Sequence, residues 1–244
     1  MSGNPVEPDR VREMFDTISG VYDPMNALIS GFQEPRWRRR AVRAARLRPG
    51  MRALDVATGT GKVAEALWRD VRPGGEVVGI DFSEGMLALA RERLGRRGLE
   101  FRWGDALDLP VPDATFDAAT IAFGMRNLAD YRRGFAEMRR AVRPGGRVVC
   151  LEISRPPSRL GQLAQTWFDR AIPVLGRLMG QGDAYRYLVA STRDYPGPDE
   201  IARIMGEAGL VDVTWSPMTF GIVTLHVGVR PALSQREVTG TGRA

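Results

Sequence analysis

A glycine-rich turn is the part of this 244-residue sequence whose chemical use is easiest to infer. An apolar stretch ending at Val56 runs into the turn, and a helical stretch follows it. Glycines in a strand-to-helix turn let a ligand approach the backbone closely, and the first N–H groups of the helix are free to donate. The turn therefore predicts contacts to a nucleotide-like ligand from Thr58, Gly59, Thr60 and Gly61. The same pattern also fits a dinucleotide-binding turn.

Acidic residues accompany three successive strand-like stretches. Asp81 directly follows Val77–Ile80, at a position where a carboxylate can accept hydrogen bonds from both ribose hydroxyls of a nucleotide. Asp55 precedes the turn and could bind the cationic amino-acid end of S-adenosylmethionine. Asp105 could accept the adenine amino group while Ala106 donates its backbone N–H. Asp55, Asp105 and Ala106 favour S-adenosylmethionine over a nicotinamide cofactor. Each of the three acids could also be an ordinary loop residue at a strand end.

The elements that would position these residues alternate along the chain. Strand-like and helix-like stretches follow one another from about 52 to 153, which is typical of parallel β-α-β units. The predicted strands are Arg52–Thr58, Glu76–Asp81, Leu99–Trp103, Phe116–Phe123 and Arg147–Ile153. The predicted helices are 9–20, 34–47, 62–70, 84–95, 130–142 and 198–208. Two further strands, Val211–Ser216 and Gly221–Val229, should pair as an antiparallel hairpin at the sheet edge.

The sequence therefore predicts an α/β fold with one domain over residues 1–231. The sheet should be doubly wound and Rossmann-like, with about seven strands that are mostly parallel and a C-terminal antiparallel hairpin. A helical N-terminal segment precedes it. Residues 155–195 combine interrupted helical stretches with many large apolar side chains, which predicts a helical insert or lid; ordinary core packing is the alternative. Residues 232–244 are polar and glycine-rich, and we expect them to be disordered.

Charge and composition narrow the class of protein. The net charge is +6, from 35 basic and 29 acidic residues, and arginines are scattered except for a run at 36–48. That run is either the solvated face of a helix or a contact for anionic lipid headgroups. A nucleic-acid partner is not expected, because the basic residues do not gather on one face with aromatic platforms.

Cysteine content and hydropathy predict a cytoplasmic protein. Cys150 is the only cysteine and lies in an apolar run, so an intrachain disulfide is excluded. No cluster of histidine, cysteine and acid has metal-ligand spacing, so no metal is predicted. The N-terminus lacks the pattern of a secretion signal, and no apolar run is long enough to span a membrane.

Several longer motifs resemble known enzymes. The segments 55–61, 79–87, 109–117 and 143–147 look like class I methyltransferases. More specific motifs are Phe15-Asp16, Tyr22-Asp23-x-Met25-Asn26, Phe123–Leu128, Leu151–Pro156, Tyr185–Leu188 and Gly221–Gly228. From about residue 10 to 230 the chain resembles the quinone-biosynthesis C-methyltransferases that act on demethylmenaquinol and its ubiquinone counterpart. Two positions depart from that pattern, since Lys62 replaces a usual acid and Ala122 a common serine.

The resemblance implies an S-adenosylmethionine-dependent enzyme that methylates a ring carbon of a prenylated quinol. It also implies cofactor contacts from Phe82, Met86 and Ala122. Peripheral contact with the inner face of a membrane and a homodimer are further expectations. Two other functions stay open: methylation of another small aromatic or polyketide acceptor, and a non-catalytic regulator that binds S-adenosylmethionine.

Five residues are candidates for catalysis on the quinol ring. A phenol ionises with a pKa of about 10, so the enzyme must favour the phenolate. We expect Arg126 to stabilise the developing oxyanion, with Asn127 as a hydrogen-bond partner, unless Arg126 only pairs with an acid or caps a helix. Tyr22 and Asp23 could close over the acceptor, Asp23 as a base or as part of a turn. His226, the only histidine, could shuttle a proton or be structural.

Overall fold

Seven β-strands form one sheet, which confirms the predicted fold class. The computed structural model describes residues 11–13, 16–17, 23–24, 27, 30–95, 98–156, 159, 161–163, 166, 187 and 191–232. The strands are β1 (Arg52–Val56), β2 (Glu76–Asp81), β3 (Leu99–Trp103), β4 (Phe116–Ala122), β5 (Val142–Ile153), β6 (Val211–Met218) and β7 (Val223–Val229). The longer helices in this part of the chain are α1 (Glu34–Ala44), α2 (Lys62–Val71), α3 (Glu84–Leu94), α4 (Tyr131–Ala141) and α5 (Pro198–Glu207).

The strand order in the sheet is β3-β2-β1-β4-β5-β7-β6. Strand β1 pairs in parallel with β2 on one side and with β4 on the other, and β4 pairs in parallel with β5. Strand β7 lies antiparallel between β5 and the edge strand β6, so the predicted C-terminal hairpin is confirmed. The order reverses direction between β1 and β4, and open α/β sheets bind ligands at such a switch point.

Both faces of the sheet are buried, because helices cover each of them. One face carries α4 and α5, and its core includes Leu54 and Phe135. The other face carries α1, α2 and α3, and its core includes Ala53 and Leu67. Ala53 and Leu54 are neighbours on β1 and are both fully buried, as expected where successive side chains point to opposite faces of a covered sheet. The central strands are thus held from both sides, which fixes the residues at their ends.

Several elements end at places that differ from the prediction. Strands β1 and β4 stop one or two residues early, because Ala57 and Phe123 take positive φ values of 50° and 60° and turn the chain. Helix α1 ends at Ala44 rather than at 47, and Arg46 has a φ of 52°. Strand β5 begins at Val142, five residues before the predicted Arg147, because Val142 pairs with Phe116 ahead of a bulge. Positive φ at residues other than glycine is not visible in a propensity pattern.

Three predicted segments lie wholly or largely outside the described residues. The predicted helix at 9–20 is described at 11–13 and 16–17, and those residues are helical. The predicted insert at 155–195 is described only in pieces, and its role as a lid stays a prediction. The predicted disordered tail falls almost entirely on residues 233–244, which are not described. Within the described part of the chain, every helix is too short or too polar to cross a bilayer.

Candidate functional site

A cavity of about 310 Å³ opens at the carboxyl ends of the parallel strands, at the switch point of the sheet. The loops after β1, β2, β3 and β4 all contribute to its wall. The predicted cofactor contacts that line it are Gly59, Asp81, Phe82, Met86, Asp105, Ala106 and Ala122. A cavity of this size is in the range of small-ligand sites in proteins. The structure therefore brings together residues that lie up to 63 positions apart in the sequence.

Asp81 is a buried carboxylate at the end of β2, with 6% of its surface exposed. One carboxylate oxygen accepts the Gly59 N–H at 2.7 Å, and the other accepts the Ser83 N–H at 3.0 Å. Burial raises the pKa of Asp81 to about 6, because water no longer stabilises the charge. A carboxylate fixed by backbone donors at the cavity wall can accept hydrogen bonds from sugar hydroxyls. This arrangement fits the predicted ribose contact.

The far end of the cavity could hold an adenine ring. Asp105 lies there with an exposed side chain, and Ala106 beside it is buried. One Asp105 oxygen accepts the Leu107 N–H at 2.8 Å, which fixes the carboxylate at the cavity mouth. Trp103, which the sequence analysis did not single out, also lines the cavity and donates its indole N–H to the Phe82 carbonyl at 3.0 Å. The large flat side chain of Trp103 in the wall suits a stacked base.

A second, narrow cleft of about 20 Å³ adjoins the cavity, and the two share Ala57, Gly59 and Ala122. Asp55 lines this cleft and is 1% exposed. Its two oxygens accept hydrogen bonds from the hydroxyls of Thr58 at 2.7 Å and Thr120 at 2.6 Å. Burial raises the pKa of Asp55 to about 6. Among the residues that the structure describes, none forms an ion pair with Asp55, so this buried carboxylate suits a small cationic group.

The two glycines of the turn have different roles. Gly59 has a φ of 56°, lines both the cavity and the cleft, and a Cβ built on it would contact nothing within 4 Å. Gly61 has a φ of 80° and lines neither. A Cβ on Gly61 would lie 2.8 Å from side-chain atoms of both Leu94 and Phe101. Close approach by a ligand therefore concerns Gly59. Core side chains surround Gly61, and its predicted contact with the cofactor stays a prediction.

Strained backbone borders the cavity at two neighbouring strand ends. Ala57 after β1 and Phe123 after β4 both have positive φ, and both line the cavity. Gly124 follows Phe123, and a Cβ there would lie only 2.5 Å from the Ala57 Cβ. The two turns are therefore packed against each other with no spare room. Residues in such backbone regions persist where the surrounding structure holds them, often at ligand sites.

Arg126 does not reach the cavity, contrary to the expectation that it faces the acceptor. It is 5% exposed and forms an ion pair with the fully buried Glu152, with 2.7 Å between Nη1 and the Glu152 Oε1. Its Nη1 also donates to the Phe123 carbonyl at 2.5 Å, and its backbone N–H donates to the Glu152 Oε2 at 3.2 Å. The alternative of an acid partner is therefore correct. Glu152, which the sequence analysis missed as an individual residue, fixes the turn that follows β4.

Asn127 lines the cavity directly after Arg126. The Tyr187 hydroxyl donates to its Oδ1 at 2.9 Å, across 60 residues of sequence. Because this bond uses the amide oxygen, the amide NH₂ is the group that can donate to a bound molecule. Asn127 therefore faces the cavity, whereas Arg126 does not line it. Tyr187 lay within a motif of the resemblance but was not proposed as a site residue.

The described parts of the N-terminal segment reach the site from outside the sheet. Arg12 lines the cavity. Asp16 accepts hydrogen bonds from the Ser83 hydroxyl and the Gly85 N–H, at the start of α3. The sequence did not predict the contacts of Arg12 or Asp16, because nothing in residues 10–17 indicates which strand end this segment contacts. Tyr22 lies outside the described residues, so its proposed role stays a prediction.

Asp23 binds the glycine turn rather than facing an acceptor. Its carboxylate pairs with Lys62 Nζ and with Arg93 Nη1, each at 2.9 Å, and accepts the Thr60 hydroxyl at 3.0 Å. These contacts hold the Asp23 carboxylate at the glycine turn, and its predicted role as a base stays a prediction. The unusual Lys62 therefore has a structural partner in Asp23.

His226 does not line the cavity, and its predicted part in catalysis stays a prediction. It is fully buried on β7, its Nε2 is 2.9 Å from the Pro198 carbonyl, and its ring lies near Trp215. Burial lowers the pKa of His226, so the neutral form is favoured. The residue joins α5 to the sheet. In the described residues no three potential metal-binding side chains come together.

Fold and site together define a class I, S-adenosylmethionine-dependent methyltransferase. A Thermotoga maritima structure of an S-adenosylmethionine-dependent methyltransferase is 19% identical and has a TM-score of 0.63, over 90% of this chain and 99% of that one. At that identity the likeness shows the fold. The buried acid at the end of β2 and the cleft beside the glycine turn fit the cofactor, and S-adenosylmethionine is the methyl donor.

The chain belongs to the ubiE/COQ5 methyltransferase family, which residues 4–230 match. The protein named demethylmenaquinone methyltransferase from Thermus thermophilus is 46% identical over 222 residues, covering 89% of this chain and all of that protein. The ubiquinone/menaquinone biosynthesis C-methyltransferase of Geobacter sulfurreducens is 44% identical over 227 residues, covering 90% of this chain and 88% of that protein. These findings confirm the resemblance found in the sequence motifs.

Proposed function

We propose that the enzyme methylates a ring carbon of reduced demethylmenaquinone, and that a ubiquinone precursor is a second acceptor. The observation that carries this proposal is the position of Asn127, held by Tyr187 at the cavity wall next to apolar Phe123 and Leu128. An apolar wall with one oriented donor suits a flat aromatic ring with an oxygen substituent. The names of the similar proteins support the same acceptor.

The residues around the acceptor have a limited chemical task. When bound, S-adenosylmethionine supplies the methyl group as an electrophile, so the protein must mainly align the acceptor and exclude water. The Asn127 amide can donate to the oxygen of the ring and favour the phenolate, which makes the neighbouring carbon nucleophilic. Arg126 and Glu152 act indirectly, because their ion pair holds the turn that presents Asn127.

The proposal includes a place for the apolar prenyl chain. Residues 155–195 combine large apolar side chains with prolines, and we infer that they form a lid over the acceptor end of the cavity. Peripheral contact with the inner face of a membrane would bring the prenylated substrate to that lid from the cytoplasmic side. Homodimerisation and the role of Tyr22 as a cover over the acceptor are further parts of this proposal.

Release of S-adenosylhomocysteine tests the function. The assay compares reduced demethylmenaquinone, a ubiquinone precursor and a small aromatic acceptor without a prenyl chain, each at matched concentration. We expect turnover with the first, a lower rate with the second, and little with the third. Asp81→Ala serves as the matched inactive control, because it removes a cofactor contact and leaves the acceptor wall intact. Turnover confined to the small aromatic acceptor would contradict the proposal.

A further inference from the structure

We propose that Arg38 on α1 binds the carboxylate of the cofactor's amino-acid end, while Asp55 binds its ammonium group. Arg38 would then be the residue of the cofactor site described above that recognises the carboxylate of S-adenosylmethionine. Arg38 precedes the glycine turn by about twenty residues, on an element that nucleotide-binding patterns do not include. Arg38 belongs to the arginine run at 36–48, which the sequence predicts to face solvent or lipid headgroups.

Arg38 lines the narrow cleft together with Asp55, Thr58 and Thr60. Its side chain is 14% exposed, although it sits in a run of arginines whose neighbours Arg39 and Arg40 are exposed. One guanidinium nitrogen, Nη2, donates to Glu34. The Nε of Arg38 is buried and has no hydrogen-bond partner among the residues that the structure describes. A guanidinium has five N–H donors, so donors remain for an anion in the cleft.

The cleft carries charges of opposite sign on opposing elements. Asp55 at the end of β1 is the acid, and Arg38 lies close enough that its charge acts to lower the pKa of that carboxyl, against the larger effect of burial. An α-amino acid group has an ammonium and a carboxylate on one carbon, so it presents the complementary pair. The junction of the cleft with the larger cavity at Gly59 is where the nucleoside would continue.

Helix α1 holds Arg38 in place through its neighbour Trp37. The Trp37 indole N–H donates to the Thr219 hydroxyl at 3.0 Å, and its ring packs against Phe123 with centroids 6.1 Å apart. These contacts anchor helix α1 directly beside Arg38. A planar guanidinium also matches a carboxylate with two parallel hydrogen bonds.

Lys62 is the other cation at the cleft, and it suits the role less well. Its ammonium is bound to Asp23 at 2.9 Å, and its side chain is 38% exposed. Arg38 also has a carboxylate partner, Glu34, but its side chain is less exposed and its planar guanidinium keeps further N–H donors for a second carboxylate. A strongly hydrated, exposed ammonium gains less from a second carboxylate. Loss of Arg38 should therefore weaken binding of the cofactor's carboxylate more than loss of Lys62, and a binding experiment can distinguish the two.

Calorimetry on the full chain with three ligands tests the assignment. S-adenosylhomocysteine carries both charged groups, its decarboxylated analogue keeps only the ammonium, and 5′-methylthioadenosine has neither. Arg38→Met should weaken S-adenosylhomocysteine binding by about 10- to 100-fold, the range for a lost charged hydrogen bond. Binding of the other two ligands should stay within about 2-fold of the wild type. Arg40→Met, an exposed position on the same helix, is the matched control and should bind all three normally.

Other results would overturn the assignment. Equal losses for all three ligands would mean that Arg38 only supports the fold, and a selective loss in Lys62→Met instead would move the role to Lys62. Arg38→Lys keeps the charge and the fold; its S-adenosylhomocysteine affinity should fall several-fold, and an unchanged affinity would also overturn the role. Because the measurement is binding, its result does not depend on the acceptor, and a failed quinol assay would leave it standing.

Discussion

Asp55 and Asp81 are the residues whose charge depends most on their surroundings. Both are buried, and hydroxyl or backbone donors rather than bonded cations satisfy their oxygens. Burial raises the pKa of each to about 6, from a starting value of 3.8. The free enzyme therefore binds protons at these positions under mildly acidic conditions. A cofactor that needs the charged carboxylates must compete with those protons.

Cofactor affinity should accordingly depend on pH in a defined direction. Because the pKa of each carboxyl in the free enzyme is near 6, the carboxylates are charged above that pH and protonated below it. We expect S-adenosylmethionine affinity to fall as pH decreases from about 7 to about 5, with proton release on binding near pH 6. Calorimetry in two buffers of different ionisation enthalpy measures both quantities.

An Asp81→Asn variant is the control for that titration. It keeps the shape of the side chain but cannot ionise, so binding at pH 7.5 should be weaker and less proton should be released at pH 6. The raised pKa values also mean that the folded state binds these protons more tightly than the unfolded state. Stability from this source is present below about pH 4 and is lost as pH rises through 6. An affinity that is constant from pH 5 to 7.5 would contradict the assignment.

Asn127 should matter for turnover more than for cofactor binding. Asn127→Ala removes the donor to the ring oxygen, and we expect turnover to fall by about 10²- to 10³-fold, as for other single oxyanion donors. Tyr187→Phe removes only the hydroxyl that orients the amide, so its loss should be smaller. Initial rates with saturating cofactor measure the effect, and calorimetry with S-adenosylhomocysteine should find both variants near normal. A variant that lost cofactor binding and turnover together would place Asn127 in the cofactor site instead.

At the scale of elements, the turn after β4 depends on a buried ion pair. Arg126→Met leaves Glu152 as an unpaired buried charge, and we expect a loss of about 3–5 kcal/mol in the free energy of unfolding. Glu152→Gln is the matched variant, since its amide oxygen can still accept from the backbone N–H groups of Arg126 and Ile153. Chemical denaturation measures stability. Turnover per folded molecule should also fall, because Asn127 is attached to the same turn.

The glycine turn after β1 offers a second test at this scale. Gly61→Ala puts a Cβ against Leu94 and Phe101, so overpacking of about 1–3 kcal/mol should add to the backbone strain. Gly59→Ala meets no atom within 4 Å and should lose only about 1–2 kcal/mol, from its positive φ. The ranking should reverse for cofactor affinity, since only Gly59 lines the cavity. Melting temperatures measure the ranking by stability, and calorimetry measures the ranking by cofactor affinity. If the same variant were the more damaged in both measurements, the different roles of Gly59 and Gly61 would be contradicted.

The alternation of strands and helices was enough to predict the sheet, and the acids at strand ends were enough to predict the cofactor edge. What the pattern could not supply were long-range partners. Nothing near Arg126 in the sequence shows that Glu152, 26 residues later, becomes its neighbour through the pairing of β4 with β5. The same holds for His226, whose partner is a backbone carbonyl at Pro198. Strand ends at Ala57 and Phe123 were misplaced because packing, not propensity, imposes their positive φ.

At the scale of the whole molecule, described residues of the N-terminal segment contact two β-α connections at the cofactor edge. Asp16 binds the start of α3, and Asp23 binds the glycine turn, Lys62 and Arg93. Arg12 lines the cavity. The segment precedes the sheet in sequence, and its contacts are with two separate β-α connections. These contacts join the segment to both connections at once.

These contacts should affect the rate at which bound S-adenosylhomocysteine dissociates. The double variant Asp16→Asn with Asp23→Asn weakens both attachments without removing side-chain volume, and release of S-adenosylhomocysteine should become about 10-fold faster. Stopped-flow displacement measures the rate. Because Lys62 and Arg93 are partly exposed, added salt should speed release from the wild type and narrow the difference between the two proteins. Asp113→Asn, which removes an exposed partner of Arg140 that lines neither cavity nor cleft, should release product at the normal rate. If the double variant also released product at the wild-type rate, the segment would be attached to the site without controlling access to it.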